Sequence, residues 1–165
     1  MRDQRTIGVV IARRPLRGPW ADHAWLPVAV LPAAPDLPVG TSLGRNGDDD
    51  TFYAGETELF LYAQATGHYR DNLATERPSV WVALRLQGEG AELASATLDP
   101  YEGEALAESI GDVLEAVPMP SDIQAWLSAF VETFHVERPF FKRQRDRADP
   151  EALGRRAPLD REDDE

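Results

Sequence analysis

Alternating apolar and polar positions predict several β-strands along this chain. Successive side chains of a strand point to opposite faces, so a period of two marks a strand that buries one face. The alternation is clearest in residues 79–86, and it is also present in residues 6–12 and 57–63. In the clearest segment the predicted inward side chains are Val80, Val82, Leu84 and Leu86, and the predicted outward ones are Trp81, Ala83 and Arg85.

Glycine positions predict how some of these strands connect. Gly88 and Gly90 separate two apolar alternations, which is typical of a β-hairpin. A shorter strand over residues 51–54 is predicted to turn at Gly55 into the strand that follows it.

Proline positions predict one edge strand and two linkers. Pro27 lies inside an apolar segment and has no backbone N–H to donate, so that segment is predicted to form a sheet edge or to carry a bulge. The proline-rich segments 31–40 and 116–120 are predicted to be linkers.

The spacing of large apolar residues predicts one well-marked helix. Ser121 and Gln124 form a capping-box pattern, with Ser121 as the N-cap. The apolar stripe that follows has the i, i+3, i+4, i+7 spacing of a helix that covers a core. Its members are Ile123, Trp126, Leu127, Phe130, Val131 and Phe134. A weaker helical segment is predicted from residue 104 to about residue 110.

Together these elements predict an α+β, mainly β fold. We expect an antiparallel sheet or half-barrel of about six strands, packed by one long C-terminal amphipathic helix. Residues 1–141 are predicted to form a single globular domain, and residues 142–165 a charged, partly disordered C-terminal tail.

Composition narrows the chemistry that the chain can support. None of its 165 residues is cysteine, which excludes disulfides, thiolate nucleophiles and cysteine-ligated metal sites. Nearly all of the net charge of −12 lies before residue 137, since residues 137–165 hold eight basic and nine acidic side chains. A body this acidic repels phosphate backbones, so nucleic acid is not an expected partner.

The apolar segments also bear on location. No apolar run is long enough to span a bilayer, so no membrane span is expected. The N-terminal segment lacks the pattern of a signal peptide, and we therefore expect a cytoplasmic protein.

Three short motifs favour structural over catalytic or metal-binding roles. Residues 40–44 match the G-x-S-x-G pattern of a nucleophile elbow, but their surroundings favour a glycine-rich connection. The histidines, which are His23, His68 and His135, have no metal-ligand spacing. The acidic residues between 99 and 112 fit a solvated helix face better than a cation site. We therefore predict no catalytic residue, no metal and no cofactor.

The segment from Gly18 to Pro32 contains the candidate ligand-binding residues Trp20, His23 and Trp25. In a functional interpretation the two indoles are stacking platforms and the imidazole transfers a proton. The interpretation that we favour places the indoles at the rim of the core, because indoles bury a large area wherever they lie.

Aromatic and basic residues cluster after the predicted helix and are candidates for contact with a partner. They are Arg138, Phe140, Phe141, Lys142, Arg143 and Arg145. A buried phenylalanine contributes about 1.5–3 kcal/mol, whereas an exposed ion pair contributes about 0–1 kcal/mol. The phenylalanines would therefore decide whether this segment docks on the protein's own body or on a partner, and both interpretations remain open.

Four stretches of the chain resemble a bacterial family. They are GVVIARRPLRGPWADHAWLPVAVLP, GHYRDNLATERPSVWVAL, DPYEGEALAESIGDVLEAVPMP and FHVERPFFKRQRDRADPEALGRR. The family is built on a domain of unknown function and is found mostly in alphaproteobacteria. Its genes often lie near those of molybdenum-dependent formate dehydrogenase, and some members carry the label molybdopterin-guanine dinucleotide biosynthesis protein A.

The resemblance implies a non-catalytic accessory protein for assembly, maturation or regulation of a molybdenum-dependent formate dehydrogenase. Its expected partners are the subunits of that enzyme or their maturation factors. The alternative is an enzyme or carrier that acts on the molybdopterin-guanine dinucleotide cofactor, with Trp20, Trp25 and Arg70 as ring and phosphate contacts. A homodimeric structural module is the weaker alternative.

Overall fold

The computed structural model describes residues 1–19, 22–109 and 112–135. Over these residues the chain forms seven β-strands, three α-helices and one 3₁₀ turn. The strands are β1 (Arg2–Pro15), β2 (His23–Leu31), β3 (Ser42–Asn46), β4 (Asp49–Tyr62), β5 (Ser79–Gln87), β6 (Gly90–Thr97) and β7 (Val113–Pro118). The helices are α1 (Thr66–Leu73), α2 (Pro100–Ser109) and α3 (Ser121–Phe134), and the 3₁₀ turn is Ala63–Ala65.

The strands form two antiparallel sheets. The strand order is β2-β1-β4-β3 in the four-stranded sheet and β6-β5-β7 in the three-stranded sheet. The sheets adjoin at two places, where β2 lies beside β7 and β4 lies beside β6. The mainly β, antiparallel prediction is confirmed, but the prediction of one sheet of about six strands packed by a single long helix is wrong. Periodicity shows which side chains face inward and does not show which strands pair.

Both sheets and α3 contribute to one hydrophobic core. Leu59 and Leu61 of β4 are fully buried, while Phe60 between them is exposed, as the period of two predicts. The predicted stripe of α3 also faces this core, with Ile123 and Leu127 fully buried. Its N-cap is Pro120 without a side-chain hydrogen bond, so the prediction that Ser121 caps the helix is wrong.

Strand β5 is buried on both faces near its middle. The prediction that Ala83 faces outward is wrong, because α2 packs over that face and Ala83 is fully buried. The contact is close: a Cβ built on Gly103 of α2 would lie 2.6 Å from Cγ of Trp81. The predicted inward position of Leu86 is also wrong, since this side chain lies near the hairpin end of β5 and is 47% exposed.

Strand β4 is continuous, so the prediction of a turn at Gly55 is wrong. Gly55 lies instead at a β-bulge: it pairs with Val9, and Tyr53 pairs with Val10. Its φ of +118° belongs to a region that side-chain-bearing residues rarely adopt. The bulge lets one strand bend where the sequence pattern suggests two.

Prolines mark strand edges in this fold. Strand β2 is an outer strand, and its register with β1 shifts next to Pro27, so the prediction of an edge or a bulge is confirmed, and both are present. The predicted linker 116–120 is wrong in part, because β7 continues to Pro118 and pairs with β5. Proline is tolerated at the end of an outer strand, where its missing N–H breaks no ladder.

Two further predictions concern membranes and domain limits. In the part of the chain that the structure describes, no helix has the length and apolar character needed to cross a bilayer. The predicted domain boundary at residue 141 lies outside the described residues.

Candidate functional site

Charged and aromatic side chains of four strands form a row across one end of the four-stranded sheet. In register, Trp25 of β2 lies opposite Arg13 of β1, Arg13 opposite Asp50 of β4, and Asp50 opposite Arg45 of β3. Residues that lie directly opposite each other in an antiparallel sheet share a face. We call these four residues the cross-strand row.

Within the cross-strand row, Asp50 binds both arginines. Its carboxylate oxygens lie 3.1 Å from Nη2 of Arg13 and 3.2 Å from Nε of Arg45. The hydrogen bond from Arg13, followed by that from Arg45, lowers the pKa of Asp50 below its ordinary value of 3.8. The row therefore carries one ionised carboxylate shared by two guanidinium groups. A cavity of about 290 Å³ adjoins it, lined in part by His23 and Asp48.

His23 and Trp25 both bind the turn between β5 and β6. The indole Nε1 of Trp25 donates to the backbone carbonyl oxygen of Glu89 at 2.8 Å, and Nε2 of His23 lies 3.1 Å from the same oxygen. A ring nitrogen that donates to a carbonyl carries a proton and cannot act as a base. The two side chains thus join the first sheet to the hairpin of the second.

The rings of these residues are also packed against neighbours. The His23 and Trp25 rings meet edge to face with centroids 5.7 Å apart. The centroid of the Phe52 ring lies 5.8 Å from that of Trp25. The guanidinium carbon of Arg13 lies 5.9 Å from the Trp25 centroid and 5.3 Å from that of Phe52. The Trp25 indole is therefore partly covered by the protein's own aromatic and cationic groups.

Arg70, the remaining described ligand candidate, lies on α1. Its Nη1 donates to Nε2 of His135 at 2.8 Å, and Nδ1 of His135 lies 2.9 Å from Oγ1 of Thr66. Arg70 lines a separate cavity of about 490 Å³, which shares no lining residue with the cavity at the cross-strand row. The structure does not bring Arg70 and Trp25 into one cavity.

A histidine–aspartate pair that the sequence did not indicate lies beside Arg70. Nδ1 of His68 lies 2.9 Å from Oδ2 of Asp99, whose other oxygen accepts the backbone N–H of Tyr101 at 2.9 Å. The centroids of the His68 and Tyr101 rings lie 4.4 Å apart, and the Tyr101 hydroxyl donates a hydrogen bond to Asp71. This hydrogen bond raises the pKa of Tyr101 above its ordinary value of 10.0.

The pair fixes the imidazole and leaves its other nitrogen for binding or proton exchange. His68 is 48% exposed and lines the 490 Å³ cavity. Only one local signal was available: Asp99 directly precedes Pro100, and an aspartate followed by a proline is typical of a helix start. Its contact with His68, which lies 31 residues away in the chain, depends on the tertiary fold.

Several sequence-predicted site residues lie outside the described residues and stay predictions. They are Trp20, Arg138, Phe140, Phe141, Lys142, Arg143 and Arg145. Among the residues that are described, no group of three or more His, Asp or Glu side chains is arranged to hold a metal ion.

The fold and these sites define a mainly β protein with two antiparallel sheets and a polar cross-strand row. The family described as "Protein of unknown function (DUF3305)" matches residues 6–145, and the chain belongs to that family. The predicted membership of a family with a domain of unknown function is thereby confirmed. No curated protein and no solved structure matches the chain.

Proposed function

We propose that this chain is a non-catalytic accessory protein that binds a partner during assembly, maturation or regulation of a molybdenum-dependent formate dehydrogenase. The observation that carries the non-catalytic part is the backbone carbonyl of Glu89, which binds ring nitrogens of both His23 and Trp25. His23 and Trp25, which the sequence marks as candidates for ligand binding, are thus used to join the two sheets. The link to formate dehydrogenase rests on the family resemblance.

Exposed apolar side chains support a binding role. Leu37, Val39 and Leu43 are exposed, and Val39 has 74% of its surface accessible. They lie in and just before β3, an outer strand whose residues are all exposed. An exposed outer strand that carries large apolar side chains is the kind of surface that protein contacts use.

Gene deletion in a native host provides the primary test. We expect loss of the gene to lower formate dehydrogenase activity or its molybdenum content. Normal activity with normal metal content would contradict the proposed pathway.

Affinity purification tests the binding surface. The tagged full chain is expected to recover formate dehydrogenase subunits or their maturation factors. The Val39→Asp and Leu43→Asp variants should recover less of them, whereas Leu86→Asp, which alters an equally exposed leucine on β5, should not. Equal recovery by all variants would exclude the surface around β3.

A second candidate function is that of a carrier for the molybdopterin-guanine dinucleotide cofactor. The observation that favours it is the 290 Å³ cavity, where Arg13 and Arg45 lie near His23. Asp22, Asp48 and Asp50 also line this cavity, so a phosphate group must take the two guanidinium groups from Asp50. Guanidinium groups bind phosphate oxygens in pairs of hydrogen bonds. Calorimetry with GTP and with the guanylated cofactor tests this function, using Arg13→Gln and Arg45→Gln as controls. No heat at millimolar ligand would exclude it.

A further inference from the structure

The turn between β3 and β4 contains an asparagine followed by a glycine. The sequence has two asparagines, Asn46 and Asn72, and only Asn46 precedes a glycine. Asn46 is the last residue of β3 and pairs with Asp49, so Gly47 and Asp48 form a two-residue turn. Both turn residues and all of β3 are exposed. The side-chain amide of Asn46 therefore lies in solvent next to the backbone of Gly47.

An asparagine in this position can lose its amide without an enzyme. The backbone nitrogen of Gly47, once its proton has passed to hydroxide, attacks Cγ of Asn46. The new bond between this nitrogen and Cγ closes a cyclic succinimide, and the bond from Cγ to Nδ2 breaks and releases ammonia. Water then opens the ring at either carbonyl and leaves aspartate or isoaspartate at position 46. The net reaction consumes water, releases ammonia and needs no oxidant or cofactor.

The local structure leaves both reacting groups free. Among the described residues, neither the side-chain amide of Asn46 nor the N–H of Gly47 has a hydrogen-bond partner. Glycine has no Cβ that could shield its nitrogen, and a Cβ built on Gly47 would meet no atom within 4 Å. The attack requires the backbone of Asn46 to leave its extended conformation. This opening has a low cost, because β3 is a short, exposed outer strand.

Asn72 provides a comparison within the same chain. This residue is 1% exposed, and its side chain makes hydrogen bonds to the backbones of Ser79 and Leu98. The next residue is Leu73, which is partly buried against the core. Attack on Cγ of Asn72 would first have to break these bonds, so we expect it to be slower by about a hundredfold or more.

Modification at position 46 would disturb the pairing of β3 with β4. Isoaspartate adds a methylene to the main chain, so the pairing of residue 46 with Asp49 no longer fits. Both products also place a carboxylate directly opposite that of Asp49, and like charges at such positions are destabilising. The strand that would loosen carries Leu43, one of the exposed apolar residues assigned above to partner binding.

We propose that Asn46 is a site of spontaneous deamidation, which loosens β3 and so weakens partner binding at the exposed apolar residues around this strand. The effect on binding rests on the proposed function and deepens it, because it adds a means of regulation at the same surface. The covalent change itself does not depend on which partner binds.

Incubation of the purified full chain at neutral and at alkaline pH tests the chemistry. Peptide mass spectrometry, with fragmentation that separates isoaspartate from aspartate, measures the products. We expect isoaspartate at position 46, formed about a hundredfold or more faster than at Asn72. The rate should rise with pH, because hydroxide removes the proton of the Gly47 amide. Hydrogen exchange in β3 and in the part of β4 that pairs with it should become faster in the aged chain.

The matched control is Asn46→Gln. Glutamine keeps the polarity of the side chain, but its extra methylene makes ring closure much slower. The aged variant should therefore retain the hydrogen exchange of the fresh chain. In affinity purification, the aged natural chain should recover less of the formate dehydrogenase subunits or maturation factors than the fresh chain, and the aged variant should show no such loss.

Several outcomes would overturn the inference. They are no isoaspartate at position 46, equal rates at both asparagines, unchanged exchange in β3 after modification, and an equal loss of partner recovery in the aged natural chain and the aged variant. If the fresh natural chain recovers no component of formate dehydrogenase, the proposed function fails, while the covalent change at Asn46 and its effect on β3 stand.

Discussion

The cross-strand row and the surroundings of Asn72 place polar side chains in contrasting environments. In the row, the side chains of Arg13 and Arg45 pair with Asp50 while remaining 43% and 70% exposed. Asn72 of α1 is 1% exposed. Its amide donates to the carbonyl oxygens of Ser79 and Leu98 at 2.9 Å and accepts the N–H of Ser79 at 3.0 Å.

The two environments differ in how much their polar contacts contribute to the stability of the fold. An exposed ion pair contributes about 0–1 kcal/mol, because water competes for both charges. Removing a buried partner leaves each orphaned group with a cost of about 1–3 kcal/mol. Asn72 therefore determines where α1 sits on β5 and the end of β6, and the cross-strand row can change at lower cost.

The largest effect is expected for Asn72→Ala. Three backbone groups, one buried and two partly buried, would lose their partner, so we expect the free energy of unfolding to fall by about 3 kcal/mol or more. Denaturant unfolding measures the change. Gln124→Ala, an exposed change on α3, should stay within about 0.5 kcal/mol of the natural chain. A loss below about 1 kcal/mol for Asn72→Ala would remove the contrast.

Gly103→Ala should also be destabilising. Its new methyl group would lie 2.6 Å from Cγ of Trp81, so α2 must shift away from β5, at a cost of about 1–3 kcal/mol. Gly67→Ala on α1 is the matched control, because no atom lies within 4 Å of its built Cβ. That variant should gain up to about 1 kcal/mol from helix propensity. Similar thermal shifts for both variants would contradict the packing of α2 on Trp81.

A smaller effect is expected at the junction of the two sheets. Trp25→Phe keeps an aromatic ring but loses the donor to Glu89, so we expect a loss of about 1 kcal/mol. Amide exchange in the β5–β6 hairpin should become faster. The loss of stability caused by His23→Ala should differ between the natural chain and the Trp25→Phe variant, because both side chains bind one carbonyl oxygen. Strictly additive losses would show that the two side chains act independently.

The smallest effect concerns the dependence of stability on pH. Asp49 accepts hydrogen bonds from Nε and Nη2 of Arg14, and these lower its pKa below the ordinary 3.8. A carboxyl whose pKa is lowered in the folded state stabilises the fold above its unfolded pKa. That contribution is lost as the pH falls through the folded pKa.

The corresponding variant is Asp49→Asn. Its stability should fall less steeply than that of the natural chain as the pH drops below about 3.8, measured by thermal unfolding. In an Arg14→Gln background the same change should have no further effect on the pH profile. A profile that is the same with and without Asp49 would exclude this ion pair as a source of acid sensitivity.

The two polar regions also differ in how far they could be predicted. His23 and Trp25 drew attention because polar and aromatic residues precede an apolar strand, and the favoured structural interpretation agrees with their bonds to Glu89. The pairing of His68 with Asp99 had no comparable signal, because the two residues meet only where α1 approaches the start of α2. Contacts between distant segments depend on the order of strands and helices, which a local pattern does not contain.

Local chemistry in the sequence determined the individual elements. A period of two placed Leu59 and Leu61 inward, the glycine at position 88 allowed a tight hairpin with a φ of +59°, and the apolar stripe defined the buried face of α3. These features depend on neighbours along the chain, so the sequence carries them directly.

Only the tertiary structure decided the division into two sheets, the burial of Ala83 beneath α2, and the approach of β4 to β6. Each depends on which segments meet across long separations in the chain. The same alternation of apolar residues is compatible with several strand orders, and packing of the whole core selects one of them.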